Sequence, residues 1–211
     1  MILHGNSLSP FVRKVLVFAA EKGIALTNKP AFGRKDPEFL ALSPFGKIPA
    51  FEDEDYRLSD STAIVHYLEA KHPEPALIPH KPRARGQAMW FDEFADTIMV
   101  AQLGPVFFQR VVAPMMGMPQ DLDLAERAVA DHWLRIADYL ESVIPDSGFL
   151  LEDRLTLADI AVASPFVNFD HAAIDLDAAT HPRLARYVAS MHARPSFAAI
   201  ITKERAMLSP K

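Results

Sequence analysis

An α/β layer of order β-α-β-α-β-β-α followed by an all-α half is the fold this sequence predicts, from three observations. Residues 1–79 read as short apolar runs divided by glycine, proline and acidic turns, with helix-start signals between them. After Arg83 no convincing strand pattern remains, and apolar residues step by three and four. Pro73, Pro75, Pro79 and Pro82 mark a joint between the two halves. The expected organisation is an α/β domain over 1–79, a linker over 80–86 and a helical domain over 87–211.

The elements follow in order. Ile2 to His4 is an apolar run stopped by Gly5. Ser9-Pro10 opens a helix, because Ser suits the N-cap and Pro the first helical position. Val12, Val15, Leu16 and Ala19 give that helix one apolar face, and Gly23 closes it at C′. Ile24 to Thr27 alternates like a strand. Asp36-Pro37-Glu38 starts a second helix, with carboxylates where the helix dipole favours them. Ile48 to Phe51 and Tyr56 to Leu58 form a hairpin around the acidic turn Glu52 to Asp55. Ser59 or Asp60 caps a third helix, with Ala63, Ile64, Tyr67 and Leu68 on its inner face. In the second half Trp90, Phe94, Ile98 and Ala101 form one stripe. Val129, Trp133, Ile136, Leu140 and Val143 form another, and Leu184, Tyr187, Val188 and Met191 a third.

Composition narrows the function classes. The chain has 211 residues, half of them hydrophobic, which supports a buried core and argues against disorder. A net charge of −5 gives no basic footprint for nucleic acid. With no cysteine there is no disulfide, no cysteine metal site and no cysteine nucleophile. None of the eight histidines pairs with another at helical metal-ligand spacing, so no metal is expected. The opening Met-Ile-Leu-His-Gly-Asn-Ser lacks the basic start and apolar stretch of a signal peptide. The apolar region Thr97 to Gln120 is broken by Pro105, Pro114 and Pro119, so no membrane span is expected. The expected location is the cytoplasm.

Three segments could carry chemistry. In Gly5-Asn6-Ser7-Leu8-Ser9-Pro10-Phe11 a strand gives way to a helix start beside two hydroxyls, an anion site in outline. Taken alone, Ser9 caps its own helix and Ser7 is a turn residue. In Ser43-Pro44-Phe45-Gly46-Lys47-Ile48-Pro49, the proline at a strand start invites a cis bond and leaves the Ile48 backbone free to pair with an extended ligand. In Leu58-Ser59-Asp60-Ser61-Thr62-Ala63-Ile64 an acid and a hydroxyl open a helix, and alone they form a plain cap.

In this order the three segments resemble the thioredoxin-like N-terminal domain of soluble glutathione transferases of the serine type, in a bacterial-like form. Asp60-Ser61-Thr62-Ala63-Ile64-Val65-His66-Tyr67-Leu68 matches the family's helix-start pattern. The second half agrees through Thr156-Leu157-Ala158-Asp159, a capping box opening a buried helix, and the late turn Arg194-Pro195. The resemblance implies glutathione as co-substrate, bound along the sheet edge. Ile48 pairs with its cysteinyl part, with Pro49 in cis. Asp60 and Ser61 hold the γ-glutamyl end, Lys47 meets the glycyl or γ-glutamyl region, and Arg34 and Lys35 meet the glycine carboxylate. Ser9 stabilises the thiolate, with Ser7 the alternative in classes whose hydroxyl lies two residues earlier.

A hydrophobic electrophile is expected beside Leu8, Phe11, Phe107, Phe108, Val111 and Met115, with Met116 and Met118 adding an adaptable surface. The resemblance also implies a detoxifying homodimer with Phe45 projecting towards the partner. Two alternatives stay open. One is another glutathione-dependent reaction, such as dehalogenation, ether cleavage, isomerisation or peroxide reduction. The other is a non-catalytic binding module on the same fold.

Overall fold

The computed structural model describes residues 1–33 and 35–209. The chain divides into two compact units, Met1–Ile78 and Pro79–Lys211.

The first unit is built on a four-stranded mixed sheet ordered β2-β1-β3-β4. Strand β1 (Ile2–His4) runs parallel to β2 (Thr27–Lys29) and antiparallel to β3 (Ala50–Asp53), and β3 pairs antiparallel with β4 (Tyr56–Ser59). Helices α1 (Pro10–Glu21), α2 (Pro37–Leu40) and α3 (Ser61–Lys71) complete the thioredoxin-like order β-α-β-α-β-β-α. Its core contains Leu3, Val12, Val15, Phe18, Phe51, Ile64 and Leu68, all fully buried.

Two strand boundaries differ from the sequence reading, each for a local reason. Strand β2 begins at Thr27 rather than Ile24. Helix α1 ends in a Schellman motif: the Ile24 N–H bonds Ala19 O at 2.8 Å and the Gly23 N–H bonds Ala20 O at 3.0 Å, with Gly23 at φ 68°. Ile24 is therefore committed to the helix end and cannot join the ladder. Strand β3 begins at Ala50 rather than Ile48, because Pro49 has no N–H to give. It runs through Asp53, which narrows the acidic turn to Glu54-Asp55.

A buried ion pair fastens the tail of this unit. Lys22 Nζ lies 2.7 Å from Glu69 Oε2 and donates to Pro75 O at 2.6 Å. Glu69 Oε1 accepts the N–H groups of Leu77 and Ile78, each at 3.1 Å. At the hairpin end, Asp53 accepts from Tyr67 Oη at 2.7 Å and from Lys71. These contacts hold its carboxyl below the usual carboxylate range.

In the second unit, helix α4 (Pro82–Phe94) continues through a π-helical turn (Ala95–Val100), α5 (Ala101–Phe107), a second π-helical turn (Phe108–Val112) and α6 (Ala113–Met115). Helices α7 (Leu122–Val143), α8 (Leu157–His171), α9 (Pro182–His192) and α10 (Pro195–Leu208) follow. Residues 82–86, expected in the linker, are helical: Pro82 sits at the start of α4 behind an extended Lys81. The run Pro82–Met115 is long and apolar enough by composition to cross a bilayer; within the unit, α4 packs on α8 and α5 on α7.

The inner face of α4 also differs from the expected stripe. Ala88, Phe91, Phe94, Ala95 and Met99 are buried, whereas Trp90 is 49% exposed and donates to Tyr139 Oη at 3.0 Å. The buried face does step by four, through Phe91, Ala95, Met99 and Leu103, but it lies one residue on from the register read from Trp90. Helix α8 is buried all round from Leu157 to Phe169. Trp133, Phe166 and Phe169 meet there in edge-on contacts, with ring centroids 5.4–6.2 Å apart.

Candidate functional site

One cavity of about 320 Å³ opens within the first unit. Its walls come from four places in the chain: Phe11 in the first turn of α1; Ser43, Phe45, Lys47, Ile48 and Pro49 before β3; Ser59 at the end of β4; and Asp60 and Ser61 at the start of α3. The sheet order brings them together, because β3 lies beside β1, which feeds α1, and beside β4, which feeds α3.

The segment before β3 is a tight turn. The Gly46 N–H bonds Ser43 O at 2.8 Å, and the Lys47 N–H bonds the buried Ser43 Oγ at 3.1 Å. The Ile48–Pro49 bond is cis. Gly33 supports this turn from outside, since a Cβ there would stand 2.4 Å from Gly46 O. Only a residue without a side chain allows that approach.

At the start of α3, Asp60 Oδ1 accepts the Ala63 N–H at 3.0 Å and so caps the helix. Its backbone takes φ 87°, a conformation costly for a residue with a Cβ. The second carboxylate oxygen has no partner among the described residues. Ser61 is buried in the first turn, beside backbone donors that a helix start leaves unpaired. An anionic group entering here meets N–H donors and a hydroxyl, and a cationic group meets the Asp60 carboxylate.

The α1 loop has its own geometry. Ser9 holds the N-cap position, but its side chain makes no cap hydrogen bond, so the plain capping role does not account for it. The Leu8 and Ser9 N–H groups are taken instead by Asn6, through Oδ1 at 2.9 Å and through its carbonyl at 3.0 Å.

Of the residues singled out from sequence, Lys47, Ile48, Pro49, Asp60, Ser61 and Phe11 share the cavity wall, and so does Phe45, expected instead to project towards a partner. Ser7 and Ser9 are half-buried in the α1 loop and do not line it. Lys35 is exposed and outside it, and Arg34 lies outside the described residues. Leu8 is buried. Phe107 is buried, Val111 half-buried, and Phe108 and Met115 exposed in the helical unit. Sequence reasoning missed Ser43 as a wall residue. Its signal is the spacing of four to Lys47, which lets a hydroxyl accept that N–H across a turn.

Comparison with known proteins gives a consistent result. A family model described as glutathione S-transferase, N-terminal domain, matches residues 3–76, and one described as glutathione S-transferase, C-terminal domain, matches 105–190. The chain is 28% identical over 207 residues to a glutathione S-transferase of Hyoscyamus muticus, covering 95% of this chain and 97% of that protein. It is 32% identical over 163 residues to glutathione S-transferase 3 of Zea mays, covering 74% and 72%. A crystal structure of a glutathione S-transferase from Rhodospirillum rubrum F11 superposes with a TM-score of 0.89 at 26% identity, covering 100% of this chain and 96% of that one.

Proposed function

This chain belongs to the glutathione S-transferase family, and we propose that it ionises the thiol of glutathione for attack on a hydrophobic electrophile. The observation that carries this reading is the single cavity in which Ile48-Pro49, Lys47 and Asp60-Ser61 converge. The Ile48 backbone offers an extended peptide one more strand partner. Asp60 offers its second oxygen to the γ-glutamyl amino group. Ser61 and the α3 N-terminus receive the α-carboxylate. Lys47, Lys35 and Arg34 supply positive charge for the glycyl end.

Energetics assign the next role. A free thiol titrates near ~8.5, so most of it is protonated at neutral pH. Lowering that by two units takes roughly 2.7 kcal/mol in favour of the thiolate. A helix N-terminus supplies ~0.3–1 kcal/mol, or up to ~2 when partly buried. A hydrogen bond to a charged group supplies ~1.5–3. The two together suffice, and Ser9, whose hydroxyl does not cap the helix, is the donor we assign. It acts by donation and not as a nucleophile.

For the electrophile, Phe11 in the cavity wall offers apolar contact. The same reading carries a cytoplasmic, detoxifying homodimer, for which Phe45, 87% exposed, is the projecting aromatic.

The test is retention on immobilised glutathione together with turnover of an activated chloronitroarene. Ser9→Ala should lower turnover by roughly 10- to 100-fold, for the loss of its ~1.5–3 kcal/mol share. An unchanged rate would move the role to Ser7 or to backbone donors. Absence of glutathione binding at millimolar concentration would leave a non-catalytic module instead.

A further inference from the structure

Serine at an N-cap ordinarily turns its hydroxyl onto the second or third N–H of its own helix. Ser9 does not do this, although its φ of −76° and ψ of 125° are those of an N-cap residue. The loop before it is closed by a single residue. Asn6 Oδ1 accepts the Leu8 N–H at 2.9 Å, and the Asn6 carbonyl accepts the Ser9 N–H at 3.0 Å. One residue thus closes the turn Asn6 to Ser9 by side chain and backbone together.

The other end of the loop is anchored as firmly. Asn28 Nδ2 donates to Leu3 O at 3.1 Å and to Gly5 O at 3.0 Å, and the Gly5 N–H bonds Lys29 O at 3.0 Å. Gly5 also lies close against α1, since a Cβ there would stand 2.4 Å from Val12 Cγ2. The chain between Gly5 and Pro10 is therefore held at both ends, and the Asn6 side chain adds a contact in its middle.

We infer that Asn6 is a positioning residue for the reaction: by closing this turn it keeps the Ser9 hydroxyl off its own helix and available to the thiolate. The inference rests on the reading of Ser9 given above and adds the device that makes it work. Without the Asn6 amide, the Leu8 N–H loses the bond to Asn6 Oδ1 and the turn loosens. The Ser9 hydroxyl then gains the freedom to fold back onto the α1 N-terminus, where capping competes with donation to a bound thiol.

The test follows the ionisation of bound glutathione by thiolate ultraviolet absorbance as pH is raised, with kcat and KM measured alongside. Asn6→Ala should raise the titration midpoint of the bound thiol by about one unit and lower kcat near neutrality about tenfold. KM for glutathione should stay within about twofold, since the cavity residues are untouched. Asn6→Ser, whose hydroxyl can accept the same N–H, should recover most of the loss. In a Ser9→Ala background, Asn6→Ala should add almost nothing. Should Asn6→Ala not fold, Asn6→Gln keeps the amide on a stem too long for this turn and should show the same shift.

A Ser9→Ala protein that titrates like wild type would overturn the reading of Ser9 beneath the inference. Loss on Ser9→Ala with a wild-type titration in folded Asn6→Ala, or an equal Asn6 effect in both backgrounds, would overturn the inference alone.

Discussion

Among the helix starts that use an aspartate, those of α8 and α3 do so in opposite ways. At α8 the capping box is closed. Asp159 Oδ2 accepts the Thr156 N–H at 2.9 Å and Thr156 Oγ1 at 3.0 Å, and Asp159 Oδ1 accepts the Leu150 N–H at 2.8 Å. Both residues are fully buried. At α3, Asp60 is exposed, carries an unfavourable φ and makes one cap bond, while its second oxygen stays unpaired among the described residues. A cap with every acceptor used stabilises a core. A cap with an acceptor in reserve, at the wall of a cavity, is equipped to bind.

The sharpest way to break this contrast is to remove the closed cap. Asp159→Ala leaves the Leu150 and Thr156 N–H groups buried without an acceptor, at about 1–3 kcal/mol each. Urea unfolding should show a loss of about 3–5 kcal/mol, with glutathione affinity of the folded protein unchanged. A loss below about 1 kcal/mol would mean that the two caps do not differ in kind.

A pH series probes the same group. Burial raises the Asp159 carboxyl to about 6, outweighing the hydrogen bonds that favour the anion. The folded state therefore holds this proton where the unfolded chain, near 3.8, has released it. The stability it contributes is present below pH 3.8 and is lost as pH rises through 6, by a total of roughly 3 kcal/mol. Asp159→Asn should lack this slope. Parallel urea midpoints for the two proteins between pH 4 and 7 would show that Asp159 titrates like an exposed acid.

At the open cap the order of effects reverses. Asp60→Asn keeps an acceptor for the Ala63 N–H and tolerates the positive φ, but removes the charge. The melting temperature should move little, while KM for glutathione rises about 10- to 100-fold, the worth of a charge-assisted bond at ~1.5–3 kcal/mol. A stability loss with unchanged KM would make Asp60 a cap and nothing more.

The smallest effect compares two helix ends. Helix α1 closes on Gly23 and α8 on Ala173, both by Schellman motifs. In α8 the Ile174 N–H bonds Phe169 O at 2.9 Å, and Ala173 sits at φ 54°. Ala173→Gly should stabilise the protein by about 0.5–1 kcal/mol in the same urea assay, because glycine bears no penalty there. No gain would indicate that greater freedom of the unfolded chain cancels the relief.

What the sequence determined alone is local. Ser9-Pro10, Asp36-Pro37, Asp60 and Thr156 to Asp159 mark helix starts, and Gly23 marks an end, because a cap is a bond between residues a few positions apart. The order β-α-β-α-β-β-α followed from such signals. Tertiary structure decided the rest. The ladder begins at Thr27 because the end of α1 takes the Ile24 N–H, and which strands pair is set by the sheet order β2-β1-β3-β4. The inner face of α4 and the turn after it runs through Phe91, Ala95 and Met99 because packing on α8 chooses among apolar faces that sequence leaves equivalent. Ser43 holds the Lys47 N–H at the cavity wall, and Asn6 closes the turn before α1, through contacts that no periodicity announces. Where a side chain has two partners available, only the assembled surroundings select between them.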